Sequence, residues 1–343
     1  MKKIFTGLFI VSMLSSCVTS TLVIDVQRPA DITISQHVKN LVVVNRSRPS
    51  KRNLAENIME GIISGEGMGN DRKGAEYCIE GLSNMLVNSE RYSLKNASSL
   101  ELKGTGTSSF PAPLDWNEVK YICDMYGGDA LLVLETFDSD SRTIVGSPIV
   151  KTKKRKGVKI KELKYPATLT MEIQSGWRIY DVQKKHIIDE NKFVEEKDFI
   201  AYGLSPEDAV ANLPSKRYAV KESGVFAGRQ YGFRISPMWV KVKRTYFTGK
   251  HERLKLAQSY VKLGDWNSAI EVWKDLTNNI DNKIARRSSY NMAVASEIKG
   301  RLDAAIEWAN KAKKLGEKKA SHYINLLHLR KINEEKLKQQ LNN

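Results

Sequence analysis

The chain has 343 residues, 41% hydrophobic and 27% charged, and 55 Lys and Arg against 39 Asp and Glu give a formal net charge of +16. This is the composition of an ordinary globular protein with room for two domains, and no segment after Val26 is apolar for long enough to span a bilayer. The basic excess favours acidic partners: phosphate-bearing lipids, anionic glycans or acidic protein faces.

Lys2 and Lys3 precede an apolar run over residues 4–14, broken only by Thr6, Gly7 and Ser12. A positive start, a short apolar stretch and then small residues describe a signal peptide. The alternatives are an uncleaved anchor and an ordinary secretory signal. The stop at Leu14-Ser15-Ser16-Cys17 resembles the lipobox of bacterial lipoproteins. That resemblance implies removal of residues 1–16 and acylation of Cys17, where each buried methylene contributes about 0.8 kcal/mol and several chains give stable anchoring. Val18 in place of an acidic residue implies the outer membrane, and the absence of an acidic cluster after it implies the periplasmic leaflet. A protein there rarely meets nucleic acid, so none is expected as a partner.

From residue 17 to 247 the pattern alternates. "TLVIDVQRPADITI" and "VKNLVVVNRS" read as strands rich in β-branched residues. A glycine-rich patch at 65–69 reads as a flexible loop. Residues 71–88 then carry Ala75, Cys78, Ile79, Leu82 and Leu86 at helical spacing. "RYSLKN" reads as a short strand, and a Gly, Thr, Ser and Pro loop runs over 103–113. Asp115 caps a helix to Tyr126 that Gly127 and Gly128 end. "DALLVLETFD" is a near-continuous apolar strand, which predicts burial on both faces. "TLTMEIQSGWRIYDV" and "KKHIIDENKFVEE" predict antiparallel strands turning at 183–185. Ser205-Pro206-Glu207-Asp208 opens a helix, Pro214 interrupts it, a second helical stretch reaches Gln230, and "SPMWVKVKRTYF" reads as a closing strand. Cys78 and Cys123 allow one disulfide, but two separate buried thiols are the expectation.

The segments "LVVVNRS", "GGDALLVLETFD" and "GWRIYDVQKKHII", within residues 41–188, resemble the N-terminal domain of TolB-like proteins and of outer-membrane lipoproteins of the curli-secretion and peptidoglycan-synthase-activator type. Those relatives bind proteins, so the resemblance implies binding rather than catalysis. "VQRPADI" and "ISPMWVKVKRTYF" resemble an uncharacterised family of bacterial lipoproteins with C-terminal tetratricopeptide repeats.

"LAQSYVKLGDWNSAIEVWKDL" and "MAVASEIKGRLDAAIEWANKA" align without gaps at a period of 36, with Gly264 against Gly300, Ala269 against Ala305 and Ile270 against Ile306. They resemble tetratricopeptide repeats, whose period is about 34. Ala257 and Ala293 sit where paired helices approach closely, and Tyr260, Trp266 and Trp273 read as repeat core. The second copy departs from the pattern at Ser296, Leu302 and Ala309. Residues 319–340 form a capping helix. The expected architecture is therefore α+β: a mixed-sheet α/β sandwich domain at 17–247, then an all-α array of tetratricopeptide-like helical hairpins at 248–343. Its helical surface is expected to bind a peptide or helix of an envelope protein.

No catalytic, metal or cofactor motif is present: there is no HExxH, CxxC, GxSxG or phosphate-loop lysine. His37, His186, His251, His322 and His328 are scattered. Glu135 and Asp138 stand at the end of the buried strand, where a carboxylate pair suits acid–base work and solvation at the sheet edge explains them equally well, with no third partner in the sequence. The sharpest feature is "KTKKRKGVKIKELK" at 151–164, where Lys151, Lys153, Lys154, Arg155, Lys156, Lys159, Lys161 and Lys164 face only Glu162. It reads as a solvated hairpin tip or as a surface for anionic lipid or glycan, with Val158 and Ile160 on a strand face packed inward. The leading expectation is a non-enzymatic, membrane-anchored scaffold in the envelope; the sequence carries no signal for oligomeric state.

Overall fold

In a computed structural model of the chain the described residues are 19–50, 65–87, 89, 91–100, 102–155, 158–249 and 251–342. They fall into two compact units, Pro29–Met238 with the last few residues, and the residues up to Arg28 with Trp239–Gln339. The fold is mixed α/β with a mixed sheet in the N-terminal part and a C-terminal run of helices.

In the first unit, β2 (Asn40–Asn45) lies parallel to β3 (Ser93–Asn96) on one side and to β4 (Ala130–Val145) on the other. Parallel neighbours need crossovers, and the helices α1 (Gly65–Leu86) and α2 (Trp116–Tyr126) lie within them. From β4 onward the pairing is antiparallel: β4 with β6 (Val158–Asp181), and β6 with both β5 (Ile149–Arg155) and β7 (His186–Gly203). Two helices follow, α3 (Pro206–Ala211) and α4 (Lys216–Ile235), separated at Pro214.

Strand alternation explains the unbroken apolar runs of β2 and β4. Leu41, Val43, Leu132 and Leu134 enter one core with Cys78, Leu82 and Leu86 of α1 and Tyr231 of α4. Val42, Val44, Leu131 and Val133 enter a second with Val119, Ile122 and Cys123 of α2 and Tyr180. The two cysteines, both free, are thus buried in different cores. Burial pushes the Cys123 thiol up to about 12 and Cys78 well above the ordinary thiol range, so both act as small hydrophobes. Helices α1 and α4 touch backbone to backbone, since a Cβ at Gly228 would stand 1.8 Å from the Cys78 carbonyl oxygen. Only hydrogen fits there.

Local signals hold where the sequence placed them. Asp115 accepts the Asn117 N–H at 2.8 Å, and Gly127 ends α2 at φ 67°. Ser205 accepts the Asp208 N–H at 3.1 Å to start α3. The glycine-rich patch at 65–69 is different: read as a loop, it is the start of α1. The apolar stripe from Ala75 onward holds the helix to the sheet, and an established helix propagates at about 1 kcal/mol per glycine relative to alanine.

In the second unit, β1 (Thr19–Arg28) pairs with β8 (Met238–Phe247) in a separate two-stranded sheet. Five helices follow among the described residues: α5 (Glu252–Lys262), α6 (Trp266–Leu276), α7 (Asn282–Ile298), α8 (Leu302–Lys314) and α9 (Lys319–Asn342). Gly264 and Gly300, 36 residues apart, turn the chain at φ 78° and 71°. Ala257, Ala269, Ala293 and Ala305 are buried, and Trp273 is wholly enclosed with Tyr260 and Trp266 packed against its cluster.

The compact units part between 238 and 239, whereas the sequence suggested 247, and the reason is the end of β8. Tyr246 and Phe247 bury among the helices with Leu22 of β1 packed beside them. The Phe247 N–H donates to Asn291 Oδ1 at 2.6 Å, and its carbonyl accepts from Asn291 Nδ2 at 2.7 Å. Part of the helical surface over α7 is therefore covered by the chain's own strand.

Candidate functional site

The basic stretch folds as a β-hairpin. Strands β5 and β6 pair from Ile149 opposite Lys164 to Arg155 opposite Val158, with Val150 opposite Leu163, Lys151 opposite Glu162, Thr152 opposite Lys161, and Lys153 opposite Ile160. Directly paired residues share a face. One face thus carries Ile149, Lys151, Lys153, Ile160, Glu162 and Lys164, and the other Val150, Thr152, Lys159, Lys161 and Leu163. Cations and apolar residues are interleaved on both.

The eight basic residues do not share one environment. Lys151, Lys153, Lys159 and Lys161 are exposed. The Lys151 ammonium lies 2.9 Å from the centre of the Tyr202 ring, a cation–π contact. Lys164 is half-buried and pairs with Glu162 at 3.2 Å. Lys154 and Arg155 belong to β5, opposite Lys159 and Val158 in register. Lys156 and Cys17 lie outside the described residues.

The inward-packed face expected from Val158 and Ile160 is corrected by the structure at Ile160, which is 44% exposed. Val150 and Leu163, which the sequence reading did not single out, are 61% and 51% exposed. Ile144 and Ile200, both paired with Thr168 four residues beyond Lys164 along β6, are exposed apolar residues as well. The physical reason is that α1 and α4 cover the sheet core, with Leu169, Met171, Ile173 and Ile179 of β6 buried there, while the 158–164 part of β6 pairs only with β5. Alternation signalled two faces, not which of them would find a cover.

Glu135 and Asp138 have different environments. A register shift between Leu134 and Thr136 sets Glu135 beside two arginines: Arg46 Nη1 at 3.1 Å and Arg178 Nη1 at 3.3 Å. The Tyr180 hydroxyl donates to the same carboxylate at 2.8 Å. Burial, then the Glu135 charge, pushes the Tyr180 phenol up to about 12, which keeps it a donor. Asp138 is half-buried, and burial followed by the Asp140 charge raises its pKa. Nearby, Asp71 accepts from Ser139 at 2.6 Å, and burial lifts its carboxyl to about 6. Two histidines scattered in sequence converge on Asp181: His37 Nε2 at 2.9 Å and His186 Nδ1 at 3.8 Å. Among the described residues no group of three or more His, Cys, Asp and Glu is arranged to hold a metal ion, and no helix is long and apolar enough to cross a membrane.

Residues 38–247 match a family described as a domain of unknown function, DUF8603. The chain belongs to that family. Residues 255–336 match a second domain of unknown function, DUF6340. No curated protein matches the chain. A solved structure described as a putative neuraminyllactose-binding hemagglutinin homolog from Helicobacter pylori is similar at 11% identity, covering 59% of this chain and 90% of that one, with a TM-score of 0.23. The basic hairpin lies within the DUF8603 residues.

Proposed function

We propose that this chain is a lipid-anchored, non-catalytic adaptor of the cell envelope, acylated at Cys17 and facing the periplasm at the outer membrane. It meets an anionic lipid surface through residues 149–164 and other envelope proteins through tetratricopeptide-like helical hairpins. The observation that carries the lipid contact is the exposure of Val150, Ile160 and Leu163 among exposed lysines. A glycan offers charge but little apolar volume. A bilayer interface offers both: each lysine near an anionic surface contributes about 1 kcal/mol, and a fully buried Val, Leu or Ile about 1.5–3 kcal/mol. Glu135 supports the non-catalytic reading, because its carboxylate is fully engaged by Arg46, Arg178 and Tyr180.

Two measurements test this reading. In flotation with vesicles of phosphatidylglycerol and phosphatidylethanolamine, the combined Lys153→Glu, Lys159→Glu and Lys161→Glu variant is expected to bind at least about tenfold more weakly at low salt. Val150→Ser with Leu163→Ser is expected to weaken binding at every salt concentration. Unchanged partition in both variants, or equal binding to phosphatidylcholine vesicles, would sink the lipid contact. For the anchor, intact-mass analysis of the native protein is expected to show a mature chain beginning at acylated Cys17, absent in Cys17→Ala. An unmodified or uncleaved chain in the soluble fraction would refute it.

A further inference from the structure

In the helical unit several arginines have carboxylate partners within hydrogen-bond range. Arg244 and Arg330 pair with Glu297, and Arg253 with Asp275. Arg286 and Arg287, consecutive on α7, are engaged less closely. Among the described residues neither guanidinium donates a hydrogen bond, and the Nε of each is buried without an acceptor. Arg286 Nε stands 3.7 Å from Glu317 Oε2, an ion-pair distance beyond hydrogen-bond range. The Arg287 guanidinium carbon lies 5.2 Å from the centre of the Phe247 ring, and the Lys319 ammonium lies 5.4 Å from the same centre.

Arg287 and Lys319 therefore share one aromatic ring, and Arg286, next to Arg287 in the chain, stands beside one carboxylate. The borders are glycines: a Cβ at Gly316 would stand 3.8 Å from Arg286 Nη1, and one at Gly249 the same distance from Arg287 Nη1. No side chain of these two residues covers the guanidinia. Burial depresses the Arg287 pKa, and the Arg286 charge adds to it, with the Glu317 and Asp281 charges opposing. Buried polar groups in native proteins nearly always have a partner, whether protein, water or ion. Adjacent guanidinia whose buried Nε atoms find no hydrogen-bond acceptor among the described residues suit a planar or tetrahedral oxyanion.

We propose that Arg286, Arg287 and Lys319 form a binding site for an oxyanion of the phosphate class. Glu317 and Asp281 oppose the three cations, and the positive excess that remains suits an oxyanion offering three acceptor oxygens, as a phosphate does and a carboxylate does not. A phosphate monoester carries about −1.5 to −2 at neutral pH. This site is independent of the anchor and of the hairpin.

The test is calorimetry and thermal melting of the full chain in detergent, with inorganic phosphate, acetate and chloride at matched ionic strength. Phosphate is expected to bind one to one and raise Tm, with acetate at least about tenfold weaker. Arg287→Gln is expected to weaken phosphate binding at least about tenfold, while Arg229→Gln, an exposed position on α4, leaves it unchanged. Because the empty site is repulsive, Arg287→Gln should also raise Tm in phosphate-free buffer, a change that a purely structural arginine would reverse in sign. Lys319→Gln, at an exposed position, gives a second variant with weakened binding should the first fold poorly. Competition by dihexanoyl phosphatidic acid but not by dihexanoyl phosphatidylcholine would assign the phosphate to a lipid headgroup, and failure of both to compete would assign it to a free anion. No stabilisation beyond that of chloride, equal binding of acetate, or full phosphate affinity in both variants would overturn the site.

Discussion

Replacing Glu135 by alanine is expected to cost about 3–5 kcal/mol of stability, the range for removing one member of a buried charge network. The carboxylate is fully buried, and the Arg46 and Arg178 side chains are only slightly exposed. Both cations also hold the loop that precedes α2. Arg46 Nη1 donates to the Ala112 carbonyl at 2.8 Å and Nε to that of Lys103 at 3.2 Å, while Arg178 Nη1 donates to the Pro111 carbonyl at 2.7 Å. The Phe110 ring lies 4.7 Å from the Arg178 guanidinium carbon. Burial opposes the Arg178 charge, and the hydrogen bond to Glu190 with the Glu135 charge more than offsets it. Without Glu135 two guanidinia lose their common counter-charge and the loop loses its clasp. Denaturant melts of Glu135→Ala should show the loss, and limited proteolysis should show new cleavage at 103–113. Glu135→Gln, which keeps an acceptor for Tyr180, should fall between. A melt within about 1 kcal/mol of the unsubstituted chain would show that the arginines find other partners.

Glu297→Ala is expected to have a comparable effect, about 3–5 kcal/mol, in the helical unit. Arg244 of β8 approaches Glu297 with Nε and Nη2 at 2.8 Å each, a bidentate pair. Arg330 Nη1 of α9 adds a third contact at 2.7 Å, and the Tyr323 hydroxyl a fourth at 2.5 Å. One carboxylate on α7 thus ties together β8, α7 and α9. Burial alone would raise its pKa, but the hydrogen bonds from Arg244 and Tyr323 and the Arg244 charge hold it below the ordinary carboxylate range. The sign follows: a depressed folded pKa contributes stability that is present above the unfolded carboxylate value and is lost as pH falls through the folded one. Hydrogen exchange should report faster exchange in β8 for Glu297→Ala, and the acid limb of the native melt should shrink in the variant. Unchanged β8 protection would mean that Tyr246 and Phe247 hold the strand by packing alone.

The two networks mark where local pattern stops informing. Strands and helices of the sheet unit are legible residue by residue: the alternation in β2 and β4, the helical spacing from Ala75 to Leu86, and the caps at Asp115, Gly127 and Ser205 each act through neighbours a few positions away. The glycines at 264 and 300 are legible for the same reason, since a helix-to-helix turn at positive φ selects glycine locally. Nothing local says that β1 leaves the strand next to it and pairs with β8 across more than half the chain, because alternation specifies a face to bury and not the strand that will accept an edge.

The site residues divide the same way. The sequence by itself determined the basic run at 151–164, its hairpin form and the carboxylate at Glu135, all properties of composition and spacing. Only the tertiary structure decided that Ile160, Val150 and Leu163 stay uncovered, that Glu135 is matched by Arg46 and Arg178, and that the Nε atoms of Arg286 and Arg287 find no hydrogen-bond acceptor among the described residues. Exposure and charge pairing are sums over everything packed around a side chain, and those neighbours come from segments tens to hundreds of residues away.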